Sequence, residues 1–202
     1  MSSTFLQMFA FLLAAALIRN LVLMTGVGFS VMLRVVRRPR QMVPFGIMLL
    51  VFTLATTLIA HPLNRLFAFA SVANYFRPLM IVAIVAALYI AAVWLLRRLA
   101  PRLYAQYGKL IPLAAFNNLV VLVALLVNAQ FQTTLLVTVG LSIGANIGFL
   151  LLCWLTSEGM ERLDNPDMPA AFRGLPATLL YLGILAMAIM GFSSGVIKTN
   201  WF

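Results

Sequence analysis

Six apolar runs, each long enough to cross a bilayer, divide the chain at roughly 5–33, 43–60, 78–96, 110–127, 133–155 and 175–197. A hydrocarbon core of about 30 Å takes about 20 residues of helix at 1.5 Å per residue. Composition agrees: 64% of the residues are hydrophobic, 9% are charged and the mean hydropathy is +1.07. A soluble domain with that balance could not cover its surface with polar groups. The reading is an all-α polytopic membrane protein, a single integral membrane domain over residues 1–202. The first run is too long for one straight span and holds Arg19, Asn20, Gly26 and Gly28, so a broken or strongly tilted helix is expected there. No cleavable leader is expected: residues 5–18 are apolar, but neither a basic stretch before them nor a small-residue cleavage site after them stands out.

The net charge of +10 does not point to nucleic acid, because the arginines sit between apolar runs, where they set topology. The first connection carries Arg34, Arg37, Arg38 and Arg40; the third carries Arg97, Arg98, Arg102 and Lys109; the fifth carries Arg162 and Arg173. The other face has only Arg65, Arg77 and Lys198. Odd-numbered connections are therefore cytoplasmic and both termini face outward. Cut at the third connection, the chain gives two three-helix halves, about 1–98 and 99–202, that enter the bilayer from opposite sides. That is the arrangement of an inverted repeat. A short echo supports it: RNLVLM at 19–24 in the first run, NNLVVL at 117–122 in the fourth.

In inverted repeats, polar or interrupted segments at matching places in the two halves mark the functional site near the midplane. Here these are Arg19 and Asn20 with Gly26 and Gly28, and Pro112 with Asn117 and Asn118. Arg19 is the one charge deep within a run. Its partner is backbone carbonyls, a cofactor or another subunit, or else it snorkels to the interface. The three asparagines read either as hydrogen-bonding glue between helices or as remnants of a site.

All four acidic residues, Glu158, Glu161, Asp164 and Asp167, fall in the stretch 157–174, expected to be a solvated cytoplasmic loop. With no carboxylate inside a run, the chain is not a self-contained carboxylate pump. Gly140, Gly144 and Gly148 repeat every four residues and read as a helix-packing face. TGVGFS at 25–30 lacks the third glycine of a dinucleotide motif and lies in an apolar run. His61 is expected at an interface. The single cysteine, Cys153, excludes an internal disulfide and is expected to pack as a small apolar side chain. No nucleophile–base pair or metal-ligand set can be assembled.

Several stretches resemble the RnfA/NqrE-type membrane subunits of the Rnf and Na+-translocating NADH:quinone reductase family. They are GKLIPLAAFNNLVVLVALL (108–126), NYFRPLMIVAIVA (74–86), ERLDNPDMPAAFRG (161–174) and MGFSSGV (190–196). The similarity runs in order through nearly the whole chain. It implies six transmembrane helices in two inverted three-helix halves, with broken or short helices 1 and 4. It also implies a bacterial inner-membrane location with periplasmic termini, an RnfE/NqrD-like sister of opposite orientation, and flavin-carrying membrane subunits as further partners. Each sister of such a pair gives one cysteine from the first span and one from the fourth to a [2Fe–2S] cluster that relays electrons across the bilayer.

This chain departs from the resemblance at both ligand positions. The glycine-led position of the first span reads Gly28-Phe29-Ser30, and the asparagine-led position of the fourth reads Asn117-Asn118, so Ser30 and Asn118 stand where thiolates are implied. Iron–sulfur clusters are held by thiolates and occasionally histidine; a hydroxyl is a hard, poorly ionised ligand and a carboxamide a weak neutral one. The expectation is an electron-transfer and ion-translocation subunit that does not ligate the usual cluster, with Arg19, Ser30 and Asn118 joined in a polar network. A cluster with odd ligands remains only where the sister keeps its two cysteines. The alternative is a non-redox transporter, channel or structural subunit built on the same scaffold.

Overall fold

The computed structural model describes residues 2–18, 20–67, 73–129, 134–163 and 169–196, and all regular structure among them is helical. Its axis is the fifth apolar run, α9 (Leu135–Leu163), 29 residues long and so about 43 Å. In the most apolar window of α9, 56% is buried inside the chain, against 11% for α5 (Ala73–Leu99). The N-terminal helices, the second run and the last run pack on α9, while α5 packs on the second and fourth runs and turns Tyr75, Phe76, Leu79, Val82, Ile90 and Trp94 outward.

The N-terminal region follows α9 in the same direction, in pieces: α1 (Ser2–Leu13), a π-helical turn (Ala14–Ile18), α2 (Leu21–Thr25) and α3 (Phe29–Val36). The glycine stripe is the contact. A Cβ on Gly140 would meet Met8, one on Gly144 the backbone of Leu12, and one on Gly148 the carbonyl of Ala16. Farther along, Gly28 lies beside Phe149, and Thr156 Oγ1 lies 4.0 Å from Met32 Sδ. The backbones approach this closely because three successive turns of α9 carry no side chain on that face.

α4 (Met42–Phe67) packs on α9 in the opposite direction, with Gly46 against Leu150 and Thr57 against Ser142. α10 (Leu175–Val196) folds back antiparallel, with the Tyr181 ring over Gly159 and its hydroxyl donating to Leu155 O at 3.2 Å. The fourth run is α7 (Ile111–Ala115) and α8 (Asn118–Ala129), entered through a 73° bend from α6 (Pro101–Tyr107). By length and composition three helices can cross a membrane alone, Pro39–Leu63, Tyr75–Leu99 and Leu135–Leu163, and the bent pair is a fourth. Phe5–Leu17 and Leu175–Gly191 are apolar but shorter.

One sequence expectation is corrected. The stretch from 157 is not a loop at its start: α9 continues to Leu163 and carries Glu158, Glu161 and Arg162 exposed on its last turns. The residues there are mostly good helix formers, and Gly159 lets Tyr181 pin the extension. Asp164 and Asp167 lie outside the described residues. His61 lies two residues from the C-terminal end of the Pro39–Leu63 span and is buried against the rest of the chain at 8% exposure, and α4 continues past it through Pro62 to Phe67.

Candidate functional site

The two interrupted segments meet, and a capping asparagine organises each. Asn20 has non-helical backbone angles (φ −59°, ψ 105°), and its Oδ1 accepts from the amides of Val22 at 3.1 Å and Leu23 at 3.4 Å. These are orphan donors of the first turn of α2, which a side-chain oxygen satisfies. Its Nδ2 donates to Gly148 O at 2.8 Å, reaching the α9 backbone through the gap left by the missing side chain. Asn20 is thus cap and interhelical tie together, and at 1% exposure both halves of its amide are bonded.

α2 stops after five residues because Gly26 takes a left-handed conformation (φ 67°) and turns its N–H back to Val22 O. Gly28, also left-handed (φ 87°), starts α3 without a side-chain cap. A side chain at either position would be strained, since L-residues rarely adopt such angles. At Gly28 the space is also tight: a Cβ would lie 3.1 Å from Asn117 Oδ1, which would have to shift.

Asn117 repeats half of the device. Its Oδ1 accepts from Leu119 N at 3.0 Å and caps α8, yet its Nδ2 is buried with no partner among the described residues. Pro112 does not interrupt the run; it sits in the first turn of α7, where a missing N–H costs little. The interruption is at Phe116, whose angles leave the helix and whose ring packs on Tyr89 at 5.2 Å between centroids.

Of the residues singled out in the sequence, Gly28 and Asn117 are brought into contact, and Asn20 is tied to α9. Ser30, two residues past Gly28, and Asn118, one past Asn117, flank that contact and are both exposed. Neither makes a side-chain hydrogen bond among the described residues. Gly26 is exposed, and a Cβ placed on it would meet nothing within 4 Å. Arg19 lies outside the described residues. The aligned echo pairs Asn20 with Asn118, but the capping role falls to Asn20 and Asn117, one residue out of register.

The donor set does not suit an iron–sulfur cluster. Ser30 offers a hydroxyl and Asn118 a carboxamide. Cys153 is fully buried in α9 among the core residues around Phe149 and Leu152. No group of three His, Cys, Asp or Glu able to hold a metal occurs among the described residues.

A second polar region was not singled out in the sequence. Thr53, Thr57 and His61 lie four residues apart on α4, and Thr138, Ser142 and Asn146 four apart on α9; all six are buried. The helices run antiparallel with Thr57 Oγ1 and Ser142 Oγ 3.1 Å apart, so the two ladders face one another. Their signal was the i, i+4 repeat of polar residues inside apolar runs, which places them on one helix face. The glycine stripe, sharing α9, masked it.

The profile of one protein family, described as Rnf-Nqr subunit, membrane protein, matches residues 8–196. A relative from Azoarcus sp. (strain BH72), described as the A subunit of an ion-translocating oxidoreductase complex, is 33% identical over 186 residues, covering 90% of this chain and 94% of the relative. The equally described relative from Histophilus somni (strain 2336) is 30% identical over 183 residues, with the same coverage. The A subunit of the Na(+)-translocating ferredoxin:NAD(+) oxidoreductase complex of Acetobacterium woodii is 28% identical over 182 residues, 90% of this chain and 94% of that one.

Proposed function

Because the chain belongs to the Rnf-Nqr family of membrane subunits, we propose that it takes the place of the A subunit in an ion-translocating oxidoreductase complex. The observation that carries this is similarity over nine-tenths of both chains to relatives so described. Six spans in two inverted halves with periplasmic termini, in a bacterial inner membrane, complete the reading. The parallel course of the first and fifth runs, and the antiparallel course of the second and of the sixth against the fifth, support it, since spans that alternate in direction must pair this way. An RnfE/NqrD-like sister and flavin-carrying subunits are its partners. The exposed flank of Ser30 and Asn118 supports a sister docking beside the Gly28–Asn117 contact.

Within such a complex this chain does not supply ligands to a [2Fe–2S] cluster. A hydroxyl and a carboxamide hold iron poorly, and the one thiol lies in the core of α9. What its own residues do instead is close the site. Asn20 and Asn117 satisfy first-turn amides at two helix breaks, Gly28 lets the breaks touch, and Phe149 fills the space beside them against Phe45, 5.9 Å away between centroids.

The test is affinity purification of a tagged chain from its own host under anaerobic conditions. Co-purifying subunits would be identified, iron and acid-labile sulfide measured, and EPR recorded after dithionite reduction. Recovery of flavin-bearing subunits with no [2Fe–2S] signal once soluble cluster-bearing partners are removed is the expected result. A [2Fe–2S] signal that disappears on Ser30→Ala or Asn118→Ala overturns the ligand-free reading. Recovery of the chain alone removes the complex and favours the non-redox transporter or scaffold that the missing thiolates also suit.

A further inference from the structure

We propose that the seam between α4 and α9 binds a monovalent alkali cation through Thr53, Thr57, Ser142 and Asn146. The protons of these groups are already committed elsewhere. Thr53 Oγ1 has Leu49 O at 2.7 Å, Thr57 Oγ1 has Thr53 O at 2.8 Å, and Ser142 Oγ has Thr138 O at 2.9 Å, so each hydroxyl donates back to its own helix. Asn146 Nδ2 donates to Ser142 O at 2.8 Å in the same way. Each donor is thereby turned onto a backbone carbonyl, and what faces across the seam is lone pairs.

Two consequences are visible. Thr57 Oγ1 and Ser142 Oγ lie 3.1 Å apart, and a proton bridges them only by leaving a carbonyl. Asn146 Oδ1 is buried in a residue 2% exposed and has no hydrogen-bond partner among the described residues. From the Thr57–Ser142 pairing, the antiparallel register sets Asn146 opposite Thr53, one turn deeper along both helices. A buried amide oxygen without a donor, beside hydroxyl lone pairs whose protons lie on carbonyls, is unfavourable as it stands. A cation satisfies all of them together.

The ligand chemistry selects the class of ion. Neutral hydroxyl and amide oxygens are hard ligands that replace a hydration shell, as carbonyl rings do in ion-selective pores. No carboxylate lies on either ladder to balance a second charge in the low-dielectric interior, so the fit is to a monovalent ion. Thr53, Ser142 and Asn146 lie toward the middle of the second and fifth runs and Thr57 one turn nearer the C-terminal end of the second, and these runs are corresponding helices of the two halves if the halves are inverted repeats. Binding follows from the seam alone. Only the further step, that the ion is cargo, rests on the chain's belonging to an ion-translocating complex.

The experiment uses the full-length chain purified in detergent. Thermal unfolding is followed by tryptophan fluorescence in the chlorides of sodium, lithium, potassium and N-methyl-D-glucamine at matched ionic strength. At least one alkali cation is expected to raise Tm in a saturable way over N-methyl-D-glucamine, as a ligand bound only by the native state must. Asn146→Leu should abolish the shift, and the isosteric Thr57→Val should cut it by at least half. Ser30→Ala, away from the seam, should keep it. Equal Tm in all four salts overturns the site. A full shift retained in Thr57→Val overturns it too, and that variant decides if Asn146→Leu does not fold. Absence of a cation response in the unsubstituted chain refutes the site, whereas failure to recover partner subunits refutes the complex.

Discussion

The helix breaks and the α4–α9 seam are both polar regions in an apolar chain, and they use their side chains in opposite ways. At the breaks the backbone is deficient: first-turn amides of α2 and α8 have no intrahelical acceptor, and Asn20 and Asn117 supply one. At the seam the helices are continuous and the backbone is complete, so Thr53, Thr57 and Ser142 donate to carbonyls that already have partners. At the breaks Asn20 is wholly consumed by structure and Asn117 leaves a donor over. Side chains at the seam leave oxygens over. A polar residue in a membrane helix is therefore read by asking first whether the backbone beside it is whole.

Substitution on the face of α9 that carries the first break is the strongest way to disturb this comparison. Gly144→Leu would drive a side chain into the backbone of Leu12 and the Ala15 methyl. Overpacking of a close backbone contact costs about 3 kcal/mol or more here, because backbone and not a flexible tip must move. Size-exclusion analysis in mild detergent should show loss of the folded peak. A monodisperse peak with unchanged Tm would mean that α1 does not pack on the glycine stripe.

Asn20→Ala comes next, because it removes two functions together. The cap bonds to Val22 and Leu23 go, and so does the tie to Gly148 O. A lost N-cap and a lost buried hydrogen bond together cost about 2–3 kcal/mol. Tryptophan-monitored thermal unfolding should report a clear fall in Tm, and Asn20→Asp, which keeps the cap acceptor but cannot donate to Gly148, should sit no higher than Asn20→Ala.

Asn117→Ala sharpens the contrast between the breaks. It removes one cap bond, to Leu119, but also a buried Nδ2 that has no partner among the described residues. The second effect offsets part of the first, so the loss should be about 1 kcal/mol or less. A fall in Tm matching that of Asn20→Ala would show that the Asn117 amide is fully bonded in the native protein.

The large pattern was legible in the sequence because hydrophobic length is local information. The apolar runs, the breaks at Asn20–Gly28 and near Asn117, and the packing role of Gly140, Gly144 and Gly148 follow from composition and spacing. Three features were not legible. Pro112 read as an interruption because its identity does not show whether it opens a helix or breaks one, and here it opens one. The second apolar run fades at 60, yet α4 runs on through His61 and Pro62 to Phe67, because a helix need not end where hydropathy does. The seam required knowing that α4 faces α9 with Thr57 opposite Ser142, a contact 85 residues apart.

The smallest expected effect belongs to Ser30. Its side chain is exposed and makes no hydrogen bond among the described residues, although it stands at the position where the resemblance implies a ligand. In the isolated chain Ser30→Ala should change stability by about 0.5 kcal/mol or less, as exposed substitutions do. The same substitution in the assembled complex separates surface from site. If Ser30 faces the sister subunit, Ser30→Ala weakens co-purification of that sister while leaving Tm of the lone chain unchanged. Lowered Tm in the lone chain would instead place the hydroxyl in an internal network, and the break beside Gly28 would then resemble the seam more than it resembles the cap at Asn20.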